Sequence, residues 1–161
     1  MASVDYFLKL DGIQGEANDS KHKGEIEIEA FSFAEIQPTN QAQGGGGGVG
    51  KVRMGNFNFV IMANKASPRL MVACATGLHF QEAILTCRKS GTGQQEFMTF
   101  SLKDVLVSAY QVNGGGGAVV PVEQFSLDFA KIEYEYREQR ADGSLGGSIR
   151  AGYDLKANKE L

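Results

Sequence analysis

DYFLKLDGIQGEANDSKHKGEIEIEAFSF, residues 5–33, holds an alternating strand, a polar excursion and a second strand whose two faces disagree about where water lies. In the second strand Ile26, Ile28 and Ala30 share one face. Glu25, Glu27 and Glu29 share the other and are followed on it by Phe31 and Phe33. Strand side chains alternate with period two, so a regular strand would leave two phenylalanines on a charged face. Either the strand bends there, or something else covers that face.

Outward from this stretch, Val4, Tyr6, Leu8 and Leu10 alternate with residues that include Asp5 and Lys9, the pattern of a half-buried strand, with Phe7 as the exception. Residues 11–24 are polar and carry Gly12, Gly15 and Gly24, which reads as a long loop between paired strands. Beyond Phe33 the alternation fades into Gln37, Pro38 and a glycine run at residues 44–48, then resumes over residues 51–62. There Val52 and Met54 have one parity, Phe57, Phe59 and Ile61 the other, and Gly55 stands at the change.

One short helix is expected over residues 68–76. Ser67 suits the N-cap, Pro68 the first helical position and Gly77 the left-handed C-terminal residue, with Leu70, Met71 and Cys74 as the buried stripe. Residues 82–88 and 96–102 form a hairpin around KSGTGQQ. Parity then shifts at Lys103 and Asp104, from Phe100 and Leu102 to Val105 and Val107. It shifts again at Ala130 and Lys131, within a strand expected over residues 119–136. A turn in ADGSLGG precedes a last strand over residues 149–155.

Three parity switches in three long strands imply bulges or bends, as where strands turn the corner of a barrel or pass between packed sheets. The expected fold is mainly β: a closed or nearly closed β-barrel with one short α-helix, in a single domain spanning residues 1–161.

Composition narrows the function. A net charge of −3 without a basic cluster argues against nucleic acid or anionic lipid as partner. MASVDYFLKL lacks the charged and apolar regions of a signal peptide, and no later stretch approaches the ~20 apolar residues of a membrane span, so a soluble cytosolic product without membrane insertion is expected. Cys74 and Cys87 have no CxxC spacing and read as free thiols. Glycine, 21 residues against an average of ~7%, marks the unusual parts.

The motifs that tempt a catalytic reading fail on context. Gly45 to Lys51 fits GxxxxGK, but Val52 stands where a phosphate-binding loop needs Ser or Thr, and a strand follows instead of a helix. The overlapping GxGxxG at Gly45, Gly47 and Gly50 lacks the same helix. His22 and His79 lie far apart and away from any metal-ligand spacing, so they read as a solvated loop histidine and a turn histidine. Ser144 sits in a turn without GxSxG spacing. Glu25, Glu27 and Glu29 read as a solvated or charge-paired face. No residue is assigned a catalytic, cofactor-binding or metal role.

Taken in order, the stretch at residues 5–33, GGGGGVGKV, SPRLMVACATG, LTCRKSGTGQQEF, DVLVSAYQ, FAKIEYEYREQRADGSLGG and AGYDLKANK resemble the haemolysin-coregulated protein (Hcp) family of type VI secretion systems. Phe33 and Tyr153 stand where that family often carries Trp. The resemblance implies a compact β-barrel of two packed antiparallel sheets with one flanking helix, six copies in a ring, and rings stacked into a hollow tube inside a contractile sheath. It also implies a spike protein at the tube tip, small effector proteins carried in the lumen, and expulsion from the bacterial cytoplasm without a signal peptide. Contacts that close on rotation generate rings. The expected subunit-interface residues are Phe31 and Phe33 together with the arm Gly44, Gly45, Gly46, Gly47, Gly48, Val49 and Gly50. The competing reading is a small-ligand-binding barrel without tube assembly, which would need an apolar interior cavity.

Overall fold

The computed structural model describes residues 3–39, 50–90, 93–117 and 119–161. Its elements in chain order are β1 (Val4–Leu10), β2 (Ile26–Ile28), β3 (Ala30–Ser32), β4 (Glu35–Ile36), β5 (Arg53–Met54), β6 (Phe57–Met62), α1 (Ser67–Thr76), β7 (His79–Lys89), β8 (Glu96–Asn113), β9 (Val122–Asp128), β10 (Lys131–Gln139), β11 (Leu145–Asp154) and β12 (Lys159–Glu160). One arm of the sheet runs β12-β11-β10-β8-β7-β1-β2, and the other runs β3-β6-β9 and returns to β8. All pairs are antiparallel. The two arms pack as a sandwich that shares β8. Among the described residues no ladder joins β2 to β3, so the barrel is one in the loose sense.

The switches at Lys103–Asp104 and Ala130–Lys131 fall where the chain leaves one arm for the other, and the switch at Gly55 falls where it leaves the β4–β5 ribbon for β6. The strand expected after Gly24 is two strands: β2 pairs with β1, β3 pairs with β6, and between them Glu29 donates its N–H to the Val60 carbonyl at 2.8 Å. The bend puts Ile26 and Ile28 in the core from one parity and turns Phe31 and Phe33 toward it from the other, while Ala30 is exposed. At Gly55 the N–H bonds the Ala34 carbonyl at 2.9 Å, and a Cβ there would stand 3.0 Å from the same oxygen. At the β7–β8 corner Phe80 opposes Val105 and Glu82 opposes Lys103, leaving Gln81 and Asp104 outside the register. Asp104 takes φ +54°, a left-handed bulge conformation that Asp tolerates better than most residues. The third switch separates β9 from β10, and there the Ala130 N–H bonds the Lys103 carbonyl at 3.0 Å.

α1 differs from expectation at its start. Ala66 is the N-cap, and Ser67 lies inside the helix, where its hydroxyl accepts the Asn64 N–H at 3.0 Å and donates to buried Glu123. Asn64 Oδ1 accepts the Ala66 N–H at 2.8 Å. Gly77 closes the helix at φ +67° as expected. The buried stripe is Ser67, Leu70 and Ala73, with Cys74 half-buried and Met71 exposed, because the i, i+3 positions face β8. Three further details depart from the sequence pattern. β4, where the alternation had faded, pairs in a small ribbon with β5, the first part of the strand expected over residues 51–62, β11 begins at Leu145 inside the expected turn, and β12 adds a short edge strand.

The core is an aromatic stack between the arms. Phe57 is fully buried, with ring centroids 5.2 Å from Phe59, 5.1 Å from Phe100, 5.3 Å from Phe33 and 5.8 Å from Phe31, and Phe59 continues to Phe125 at 5.1 Å. Aromatic pairs at this spacing add to the burial of their large surfaces. Phe57→Ala is expected to destabilise the fold by about 3–5 kcal/mol in urea unfolding. A loss under about 1 kcal/mol would contradict the placement of Phe57 at the centre of the stack.

Candidate functional site

Phe31 and Phe33 sit at the open end of the aromatic stack. The bend at Glu29 brings both against the core, Phe31 edge-on to Tyr6 at 5.2 Å and Phe33 tilted on Phe129 at 6.0 Å, yet each stays half-exposed. They form one wall of an open cleft of about 650 Å³ whose other side includes Phe100, Ile132, Tyr134 and Tyr153. The second wall exists because β10 and β11 carry an apolar row beyond the region that β3, β6 and β9 cover. Ile132 opposes Tyr153, Tyr134 opposes Ala151, and Tyr136 opposes Ile149. Burial falls along that row, from Ile132 at 7% exposed to Tyr136 at 38% and Ile149 at 75%. Burial also raises the Tyr134 phenol above its ordinary pKa.

The β4–β5 ribbon forms the rim of the cleft and the stem of the glycine arm. Gly50 donates its N–H to the Pro38 carbonyl at 3.3 Å, and the Gln37 amide bonds the Gly50 carbonyl. Gly44 to Val49 lie outside the described residues, so of the arm only Gly50 is placed. Lys51 is exposed and leads into β5, consistent with rejecting a phosphate-binding loop.

The residues weighed for chemistry are placed as follows. His79 is exposed and bonds Asp104 at 3.1 Å, beside a Lys156–Asp104 pair at 2.7 Å. Ser144 donates its hydroxyl to Asp142 at 2.7 Å within the β10–β11 turn. Cys74 and Cys87 are free, and burial pushes the Cys87 thiol up to about 12, which leaves it unreactive. Glu27 and Glu29 are exposed, whereas Glu25 is half-buried against His22. Among the described residues no group of three His, Cys, Asp or Glu side chains could hold a metal ion.

His22 corrects an expectation. It is 7% exposed, not solvated, because residues 11–25 fold back over the outer face of β1. Its ring stacks on Phe7 with centroids 4.5 Å apart and planes within 4°. Nδ1 lies 2.5 Å from Glu25 Oε2 and Nε2 lies 2.8 Å from Glu96 Oε1. This accounts for Phe7, the residue out of phase in β1: it is the core of a second, outer cluster. Arg88 of β7 lies over the Phe7 ring at 4.8 Å and donates to both Asp19 oxygens at 2.9 and 2.8 Å. No local periodicity could have located this cluster. The only signal was the misplaced Phe7.

Comparison with known proteins bears on what these surfaces serve. Residues 7–136 match the family described as Type VI secretion system effector, Hcp. Protein hcp1 of Pseudomonas aeruginosa is 38% identical over 158 residues, 97% of this chain and 98% of that protein. Hcp1 from Salmonella typhimurium, a crystal structure, is 36% identical with TM-score 0.81, and the match covers 100% of both chains. A solved type six secretion system protein reaches TM-score 0.94 at 29% identity, over 99% of this chain and 100% of its own.

The Arg88 hydrogen bonds hold the Asp19 carboxyl well below the usual carboxylate range. A group depressed in the folded state stabilises fully above its unfolded value of ~3.9, and that contribution is lost as pH falls below it. Asp19→Asn is therefore expected to lower the unfolding temperature at pH 7 and to flatten its dependence on pH below about 4, checked by thermal unfolding across an acid series. A variant whose acid dependence matches the wild type would refute the pairing.

Proposed function

Because the chain belongs to the Hcp family of type VI secretion system proteins, we propose that it is the subunit of the secretion tube. Six copies form a ring, and rings stack into a hollow tube that a contractile sheath expels behind a spike protein. The ring lumen carries small effector proteins. The chain acts as one domain without catalytic chemistry, stays in the bacterial cytoplasm before firing, and is then secreted. The observation that carries this reading is the near-complete correspondence of the chain with Hcp sequences and structures from end to end. No described helix is long and apolar enough to cross a membrane, and tube subunits need none.

The half-covered apolar row supports assembly in physical terms. Ile149 is largely exposed and Tyr136 partly exposed in the lone chain, and Phe31 and Phe33 line a cleft at the same end of the sandwich. Apolar surface removed from water contributes about 25 cal/mol per Å², so a neighbouring subunit seated here gains affinity. We assign Phe31, Phe33 and the arm from Gly44 to Gly50 to the ring interface. The ligand-binding barrel draws no support from the interior, where Phe57, Phe59 and Phe125 fill the space a ligand would need.

Native mass spectrometry of the purified protein is expected to give a hexamer, and a monomer holding a small molecule would sink the tube reading. Deleting residues 43–49 is expected to shift light scattering toward monomer. An unchanged ring would remove the arm from the interface while leaving the hexamer itself in place.

A further inference from the structure

The outer cluster around Phe7 closes the long loop onto the sheet through two polar side chains, one of them a histidine. Its backbone is internally bonded: Gly15 donates to Gly24 at 2.8 Å, Gly24 to Ala17 at 2.9 Å and Glu25 to His22 at 3.1 Å. A Cβ at Gly15 would come within 2.5 Å of the Glu25 carbonyl oxygen, so the two limbs of the loop lie directly against each other. The side chains that fasten it to the sheet are Asp19, held by Arg88 of β7, and His22, held on Phe7 of β1 and against Glu96 of β8.

The charges facing His22 come from every element packed on it. Glu25 and Asp19 belong to the loop, Asp5 to β1, Arg88 to β7 and Glu96 to β8, while Lys21 and Lys23 point to solvent. The carboxylates of Asp5, Asp19, Glu25 and Glu96 thus surround one permanent cation, and Arg88 bonds only Asp19 and Asp5 among them. Glu25 and Glu96 are left to the imidazole. An ionised carboxylate only accepts hydrogen bonds, and a neutral imidazole has one donor and one acceptor. Both contacts are hydrogen bonds only when both ring nitrogens carry a proton. Loss of one proton sets a nitrogen lone pair against a carboxylate oxygen, and on the Glu25 side both groups are largely buried.

We propose that His22 is a pH-operated fastener: protonated, it clips the loop to β1 and β8 through Glu25 and Glu96, and deprotonated, it releases the His22 limb of the loop while Asp19–Arg88 still holds the other. Release uncovers the outer face of Phe7 and the β1 surface beneath it. The device is independent of the tube assignment, since it rests on contacts within one chain. The sign follows from the proton count. The clip is complete while the ring carries both protons and is lost when rising pH removes one.

Hydrogen–deuterium exchange of the full-length protein, corrected for intrinsic exchange and run from about pH 5.5 to about pH 8.5, reads the clip at the amides of His22, Gly24 and Glu25. Their protection is expected to fall about tenfold or more across that range, the scale of a lost hydrogen bond to a charged group, while core amides of β7 and β8 keep theirs. His22→Gln is expected to show no such fall. Glu96→Gln, which leaves the buried loop residues intact, is expected to shrink it, because an amide can donate to a neutral ring nitrogen or accept from a charged one. Wild-type protection that stays flat with pH, or an unchanged fall in either variant, overturns the proposal.

Discussion

The constraint on which the structure depends is that a chain changing its pairing partners must reverse its inward parity without leaving backbone groups unpaired. Four carbonyl contacts show how this is met. Glu29 bonds Val60, Gly55 bonds Ala34, Ala130 bonds Lys103, and Leu155 bonds Ala130, each at 2.8–3.0 Å. An N–H left without a partner would weaken each corner by up to the worth of a lost hydrogen bond. β8 takes the strictest form of the constraint: it stays one strand while its first half pairs with β7 and β10 and its last with β9. It turns that corner by placing one residue, Asp104, in a left-handed conformation.

Two polar devices then fix elements that the core alone leaves loose. Glu123, 2% exposed, accepts from the Ser67 hydroxyl on α1 and from the Tyr110 phenol on β8, so a buried carboxylate ties the helix to the strand beneath it. Burial, reinforced by Glu123, raises Tyr110 to about 12 and keeps it a donor at ordinary pH. On the opposite side, Arg88 is almost wholly buried with its Nε unpartnered among the described residues. Removing its carboxylate partners would leave a desolvated charge, which makes the loop's acidic residues structural rather than decorative.

How far the sequence reached follows from the range of each interaction. Period-two alternation is local, so all three parity switches, at Gly55, Asp104 and Ala130, were visible in the residues themselves. The same alternation pointed to the bend before Phe31 without deciding between a bend and a cover. The single helix was legible from Pro68 and Gly77, which act on their own backbones. Ser67 misled as an N-cap because its hydroxyl is claimed by Glu123, 56 residues away. His22 misled for the same reason: its loop is polar in composition, and only the fold brings Phe7 and Glu96 to it. β4 and β12 have two residues each, too short for any period to register, whereas β5 lies within the alternation read over residues 51–62 and is cut from β6 at Gly55. The candidate interface was legible in part. Phe31 and Phe33 announced themselves by standing on a charged strand face, whereas the row through Tyr136 and Ile149 looks in sequence like any half-buried strand pair.

That row goes beyond what a lone chain needs in order to fold. A sandwich that only had to fold would end β10 and β11 where the opposing arm ends, or change their inward residues to polar ones past that point. Instead the alternation continues unchanged to Tyr136, which is partly exposed, and Ile149, which is largely exposed, and the cleft beside Phe31 and Phe33 remains unfilled although the centre of the stack is tightly packed. Scattered exposed apolar residues are ordinary, but a continuous row that extends the core and ends at an open aromatic cleft is not scattered. Folding of the single chain gives no reason to keep it. The ring proposed for this chain would supply one, since a contact between two different faces, repeated by rotation until it closes, is the geometry that yields a ring.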